Sequence, residues 1–97
     1  MRKRTRAREC ALQILYQIDI THYNYPYALN DYISNSKIAG DVRSYCERLV
    51  EGVIKDLNDI DEVITRYATN WQLKRMAVVD RNILRLATFE LLYLEDI

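Results

Sequence analysis

Apolar residues repeat at helical spacing from the start of the chain. At 100° per residue from Arg4, Cys10, Ile14, Ala7, Ile18, Ala11, Leu15 and Leu12 share one arc, and Glu9, Gln13, Arg6 and Gln17 fill the opposite one. This predicts a helix over 4–22. Arg6 and Gln13, seven residues apart, lie on its outer face. Arg4 and Arg8 fall over the buried edge and must reach outward along their stems. The stretch THYNYP (21–26) breaks the pattern, with Pro26 suited to the first turn of the next helix. A short helix follows over 26–35, with Ala28, Leu29, Tyr32 and Ile33 inward. SNSKIAG (34–40) reads as a loop and Asp41 as an N-cap.

The cleanest amphipathic pattern spans 41–57. Tyr45, Leu49, Val42, Val53, Cys46, Leu57, Val50 and Ile54 form a continuous apolar arc, and Ser44, Glu47, Arg48, Glu51 and Lys55 lie opposite. Gly52 costs about 1 kcal/mol of helix propensity there. A close helix–helix approach at that point would compensate. DIDE (59–62) has the spacing of a capping box and predicts a helix over 59–69 with Ile60, Val63, Ile64 and Tyr67. TNWQLKRM (69–76) reads as a connecting turn, with Trp71 as an anchor and a short helical piece over 71–76. The segment 78–95 carries two apolar arcs, Ile83, Leu84, Ala87, Leu91 and Leu94 in one and Val79, Leu86, Phe89, Leu92 and Tyr93 in the other. A helix apolar on two sides packs on two sides.

Composition agrees with an all-α domain. Two glycines and one proline in 97 residues disfavour a sandwich or barrel, which needs frequent tight turns. The length fits one small domain over 1–97. The net charge is zero but segregated: +3 over residues 1–22, −4 over 41–62 and +4 over 66–85. A dipolar surface of this kind suits one polyanionic partner and a second partner of different charge. The strongest concentration is RKRTRAREC (2–10), with Arg2, Lys3, Arg4, Arg6 and Arg8. No run of about 18 uncharged apolar residues exists to span a membrane, and polar residues interrupt the segment after the basic start, unlike a signal peptide. The expected location is cytoplasmic. Cys10 and Cys46 read as reduced, buried thiols. His22 has no second ligand at metal spacing, no catalytic constellation can be assembled, and no Gly-rich phosphate loop is present. Neither an enzyme nor a cofactor is expected. Arg85 and Glu90, on a mostly apolar helix, read as members of ion pairs within the bundle. Tyr23, Tyr25, Tyr27 and Tyr32 read as packing for the joint between the first two helices.

Three blocks, RARECALQILY (6–16), YCERLVEGV (45–53) and above all DRNILRLATFELLYLEDI (80–97), resemble the NusB family of transcription antitermination factors in sequence and in mutual spacing. The resemblance implies an all-helical, NusB-like domain of two small bundles. The family's chain continues with two further helices, so the second sub-bundle is expected to lack its last two helices and to leave one face of 78–95 uncovered. Association into a homodimer through that face is a further expectation.

What the resemblance implies functionally is binding of boxA-type single-stranded RNA together with the ribosomal protein NusE, within the RNA polymerase antitermination complex that supports ribosomal RNA transcription. No catalysis is involved. The family's Arg-rich RNA-binding element corresponds to Arg4, Arg6 and Arg8, extended here by Arg2 and Lys3, with Thr5 where the family can have another basic residue. Arginine forks suit phosphates and unpaired bases, and the arm can order on binding. Gln13 is a candidate base contact. Tyr16 matches a family tyrosine tied to RNA and partner function. Asp80 matches an acidic partner-binding position and also complements the dipole of its own helix. Two other functions compete: an RNA-positioning domain of an rRNA cytosine methyltransferase, and a helical dimerisation module without an RNA role.

Overall fold

The computed structural model describes residues 2–67 and 72–94. Five α-helices and one short 3-10 turn make up the fold: α1 (Arg2–Thr21), α2 (Tyr25–Asn35), α3 (Gly40–Lys55), α4 (Leu57–Tyr67), the 3-10 turn Leu73–Arg75, and α5 (Val78–Tyr93). The described residues contain no strand. Helix α1 packs on α2, α3 and α5, and α5 also packs on α3 and α4.

The predicted inward arc of α1 is the one that is buried. Ala7, Cys10, Ala11, Ile14 and Leu15 are enclosed, as are Cys46, Leu49, Val50 and Val53 of the facing α3. Helix α1 ends with His22 in the left-handed region (φ 62°), its N–H donating to the Ile18 carbonyl at 2.8 Å. The Asn24 side chain then caps α2 by accepting from the Tyr27 N–H at 2.9 Å, with Pro26 in the first turn as expected.

Gly52 marks the closest approach in the core. A Cβ there would overlap the Phe89 ring of α5, so the missing side chain is what lets α3 and α5 meet. The propensity cost predicted for this glycine is offset by packing.

Several expectations are corrected. Helix α1 starts at Arg2, so the basic start is helical rather than an arm awaiting order. Asp41 is not an N-cap: α3 is preceded by Ala39, which makes no side-chain cap bond, and Asp41 sits in the first turn. The DIDE stretch lies inside α4, which starts at Leu57, so Asp59 is a first-turn acid instead of a cap. Helix α4 follows α3 after the single residue Asp56, whose carbonyl accepts from the Ile60 N–H at 2.9 Å. Trp71 lies outside the described residues.

Helix α5 is packed on one side and open on the other. Asn82, Leu86, Phe89 and Glu90 are buried, whereas Val79, Ile83 and Leu91 form an exposed stripe at four- and eight-residue spacing. Phe89 is part of the core. The tyrosine cluster also divides. Tyr25 and Tyr32 pack against the core, while Tyr23 and Tyr27 are exposed and meet edge to face with centroids 5.2 Å apart.

Part of the charge that is segregated along the sequence is paired in the fold. Arg66 bonds Glu62, Arg81 bonds Asp19, and Arg85 bonds both Asp61 and Asp19. Charges that are separated along the sequence are neighbours in the fold. At the start of α1, Arg2, Lys3 and Arg6 remain exposed.

Candidate nucleic-acid interface

The first turns of α1 project from a helix whose inner face is fixed. Ala7 and Ala11 are fully buried, and their small side chains permit close packing. Arg2, Lys3 and Arg6 are exposed, while Arg4 and Arg8 are half-buried. The first turn of α1 holds no acidic residue. Three cations therefore sit at the positive end of a helix dipole, where they oppose it. Helix stability gives no reason for that placement.

Arg4 lies over the Tyr45 ring, its guanidinium carbon 4.8 Å from the centroid. Arg8 turns inward instead. Its Nε donates to both oxygens of Glu90, at 3.0 and 2.9 Å. The Tyr45 hydroxyl donates to Glu90 Oε2 at 2.9 Å. The hydrogen bond to Glu90 holds Arg8 above its ordinary pKa despite partial burial. Burial, aided by Glu90, raises that of the Tyr45 hydroxyl. This set fixes the base of the cationic turn to α3 and α5, and it pairs Glu90 with Arg8 rather than with Arg85. Lys3 meets Asp41 at 3.5 Å, both side chains exposed, a pair that contributes little in water.

Gln13 and Tyr16 lie further along the outer face and are exposed. They line an apolar groove of about 610 Å3 with Leu12, Ile20, Tyr32 and Val79. Asp80, next to Val79, is exposed in the first turn of α5. The structure thus brings Lys3 and Arg4 together at one end, and Gln13, Tyr16 and the Asp80 region together at the other.

Sequence reading missed Ser44, Tyr45 and Arg48 as neighbours of the basic start. They lie some forty residues away, and the first and last belong to what looked like an ordinary solvent face. It also missed the far end of α1, where Asp19 accepts from Arg81 Nε at 2.7 Å, Arg81 Nη2 at 2.9 Å, Asn82 Nδ2 at 3.0 Å and Arg85 Nη1 at 3.3 Å. Arg85 also forks onto Asp61 with two bonds of 2.8 Å. The Arg81 hydrogen bond is the leading cause that holds the Asp19 carboxyl below its ordinary range. The described residues hold no cluster of three or more metal-ligating side chains and no helix long and apolar enough to cross a membrane.

Comparison with known proteins agrees on one family. The NusB family model matches residues 5–97. A transcription antitermination protein NusB from Anaeromyxobacter dehalogenans is 48% identical over 91 residues, covering 93% of this chain and 64% of the relative. One from Bacillus subtilis is 43% identical over 95 residues, covering 98% and 70%. A crystal structure of antitermination factors NusB and NusE in complex with dsRNA matches with a TM-score of 0.87 at 29% identity, covering 97% of this chain and 70% of that one. The chain therefore spans 64–70% of the length of these proteins. With sequence match and fold in agreement over nearly all of its residues, the chain belongs to the NusB family.

Proposed function

We propose that this chain is a transcription antitermination factor that binds boxA-type single-stranded RNA together with NusE and acts on ribosomal RNA transcription within the RNA polymerase antitermination complex. The observation that carries the reading is the helical, outward-facing set Arg2, Lys3 and Arg6, with Arg4 beside it on the Tyr45 ring, placed against its own helix dipole. Such a charge arrangement is stabilised when phosphates arrive. Arg8 belongs to the inner edge of this surface, where its pair with Glu90 sets the direction of the turn. Gln13 reads a base edge, and Tyr16 serves RNA and partner at the apolar groove. Asp80 accepts bonds from a basic ribosomal protein. Antitermination factors of the same family and the complex of NusB and NusE with dsRNA support the assignment. On this reading the chain acts in the cytoplasm, where RNA is transcribed, and binds without catalysing a reaction. The exposed stripe Val79, Ile83 and Leu91 supports self-association as an accompanying property, and a uniform monomer mass in light scattering at high concentration would count against it.

The test is binding of a boxA-like RNA against a scrambled control, with and without NusE, over a salt series. Four or five phosphate contacts give a slope of log K against log salt of about −3 to −3.5, at about 0.7 per contact on a single strand. Selective binding that NusE strengthens is the expected result. A slope near zero overturns the reading.

A further inference from the structure

A cleft of about 420 Å3 opens between the start of α1 and the first turns of α3, lined by Lys3, Arg4, Asp41, Ser44, Tyr45 and Arg48. Three of these six side chains are cations, one is an anion and two, Ser44 and Tyr45, carry hydroxyls. Asp41, Ser44 and Arg48 stand three and four residues apart, so they share one face of α3. Tyr45 forms a wall that is held in place: its hydroxyl bonds Glu90 and its ring carries the Arg4 guanidinium. The Glu90 carboxylate behind that wall is paired with Arg8, which offsets its charge. The one acid among the described residues of the cleft, Asp41, is 83% exposed and 3.5 Å from Lys3. Helix α3 has no side-chain cap, so the positive end of its dipole lies at the same edge. The three cations and the helix dipole favour an anion at the centre, and Asp41, at the rim and paired with Lys3, opposes it only weakly; the volume is in the range of small-ligand pockets, enough for a phosphate with its sugar.

We propose that this cleft binds a backbone phosphate of the RNA, held by Arg4 and Arg48 with the Ser44 hydroxyl as a third donor. The RNA track then runs from α1 onto α3 instead of following α1 alone. The inference rests on the RNA-binding reading above. Arg48 contributes to affinity and not to sequence choice, because a phosphate contact carries no base information.

The experiment is fluorescence anisotropy with a labelled boxA-like RNA and a scrambled RNA of equal length, over a salt series, for the full chain and the variants Arg48→Ala, Ser44→Ala, Arg48→Lys, Arg6→Ala and Arg66→Ala. Arg48→Ala is expected to make the slope shallower by about 0.7 and to weaken both RNAs about fivefold at 0.1 M salt. Ser44→Ala should weaken both by a smaller factor with the slope unchanged, and Arg48→Lys should restore the slope. Arg66, paired with Glu62 on α4 and outside the cleft, controls for net charge, and its removal should leave both values unchanged. If Arg6→Ala makes the slope shallower and Arg48→Ala does not, the cleft is off the track and the RNA reading stands. If Arg66→Ala matches Arg48→Ala, the effect is net charge alone and the site is overturned. A wild-type slope near zero overturns both readings. Arg48 is exposed, and unchanged circular dichroism of the variants checks that folding is not the cause.

Discussion

The two ends of α1 use charge in opposite ways. At its start, Arg2, Lys3 and Arg6 face solvent, and Lys3 meets Asp41, an exposed and weak partner. At its end, Asp19 is gripped by Arg81, Arg85 and Asn82, with side-chain exposures of 16%, 18% and 13% for the three ionic members in that order of Asp19, Arg81 and Arg85. One end is satisfied within the fold and ties α1 to α5 and, through Arg85, to α4. The other end is left to be satisfied by something else. Arginine alone does not signal function. What distinguishes the two groups is whether the fold brings a carboxylate to them.

Replacing Arg2, Lys3 and Arg6 together by Ala should weaken RNA about a hundredfold at 0.1 M salt and make the slope shallower by about 2. Urea unfolding of the same variant should show no loss of stability, because the removed charges opposed the helix dipole. A large loss of stability would mean that the start of α1 is structural after all.

Asp19→Ala should do the reverse. It leaves Arg81, Arg85 and Asn82 short of an acceptor in a largely enclosed site, which costs about 2–3 kcal/mol in urea unfolding. The RNA salt slope of the folded variant should be unchanged. The sign of the pH dependence follows from the same group. The native pKa of Asp19 is depressed below the ordinary 3.8, so its contribution is complete above that value and is lost as pH falls through the native pKa. Acid unfolding monitored by circular dichroism should therefore be less steep in Asp19→Ala than in the wild type.

Gly52→Ala tests the packing that holds the two ends in one frame. Helix propensity alone favours Ala by about 1 kcal/mol. Overlap of the new Cβ with the Phe89 ring should outweigh it and destabilise the chain by about 1–3 kcal/mol, read by thermal or urea unfolding. The smallest effect concerns the thiols. Burial is the main cause that pushes Cys46 up to about 12, so a thiol reagent at neutral pH should label neither Cys46 nor the buried Cys10 until the protein unfolds.

Much of this fold was legible beforehand. The 3.6-residue period assigned the inner faces of α1, α2 and α3 almost residue by residue, because burial of one apolar stripe is what a helix in a small domain must achieve. Pro26 marked the start of α2 because its fixed φ suits a first turn. Helix boundaries were less legible. Asp41 and Asp59 are good caps in isolation, yet α3 and α4 begin before them, since packing of the apolar faces outweighs a cap worth about 1 kcal/mol. The basic start was visible as a candidate site. Its split into an inward Arg8, an Arg4 laid on Tyr45 and three exposed cations was not.

The chain by itself therefore determined the helices, the buried faces of α1, α2 and α3, the family and the end at which positive charge gathers. These are local or periodic properties, set within a few residues by side-chain size, polarity and backbone preference. The tertiary structure alone decided which charges are spent. Glu90 is claimed by Arg8 from 82 residues away, Asp19 by Arg81 from 62, and the Arg4 guanidinium comes to rest on the ring of Tyr45. Coulombic and hydrogen-bond energies depend on distance in space, and separation along the chain says nothing about that distance until the helices are packed.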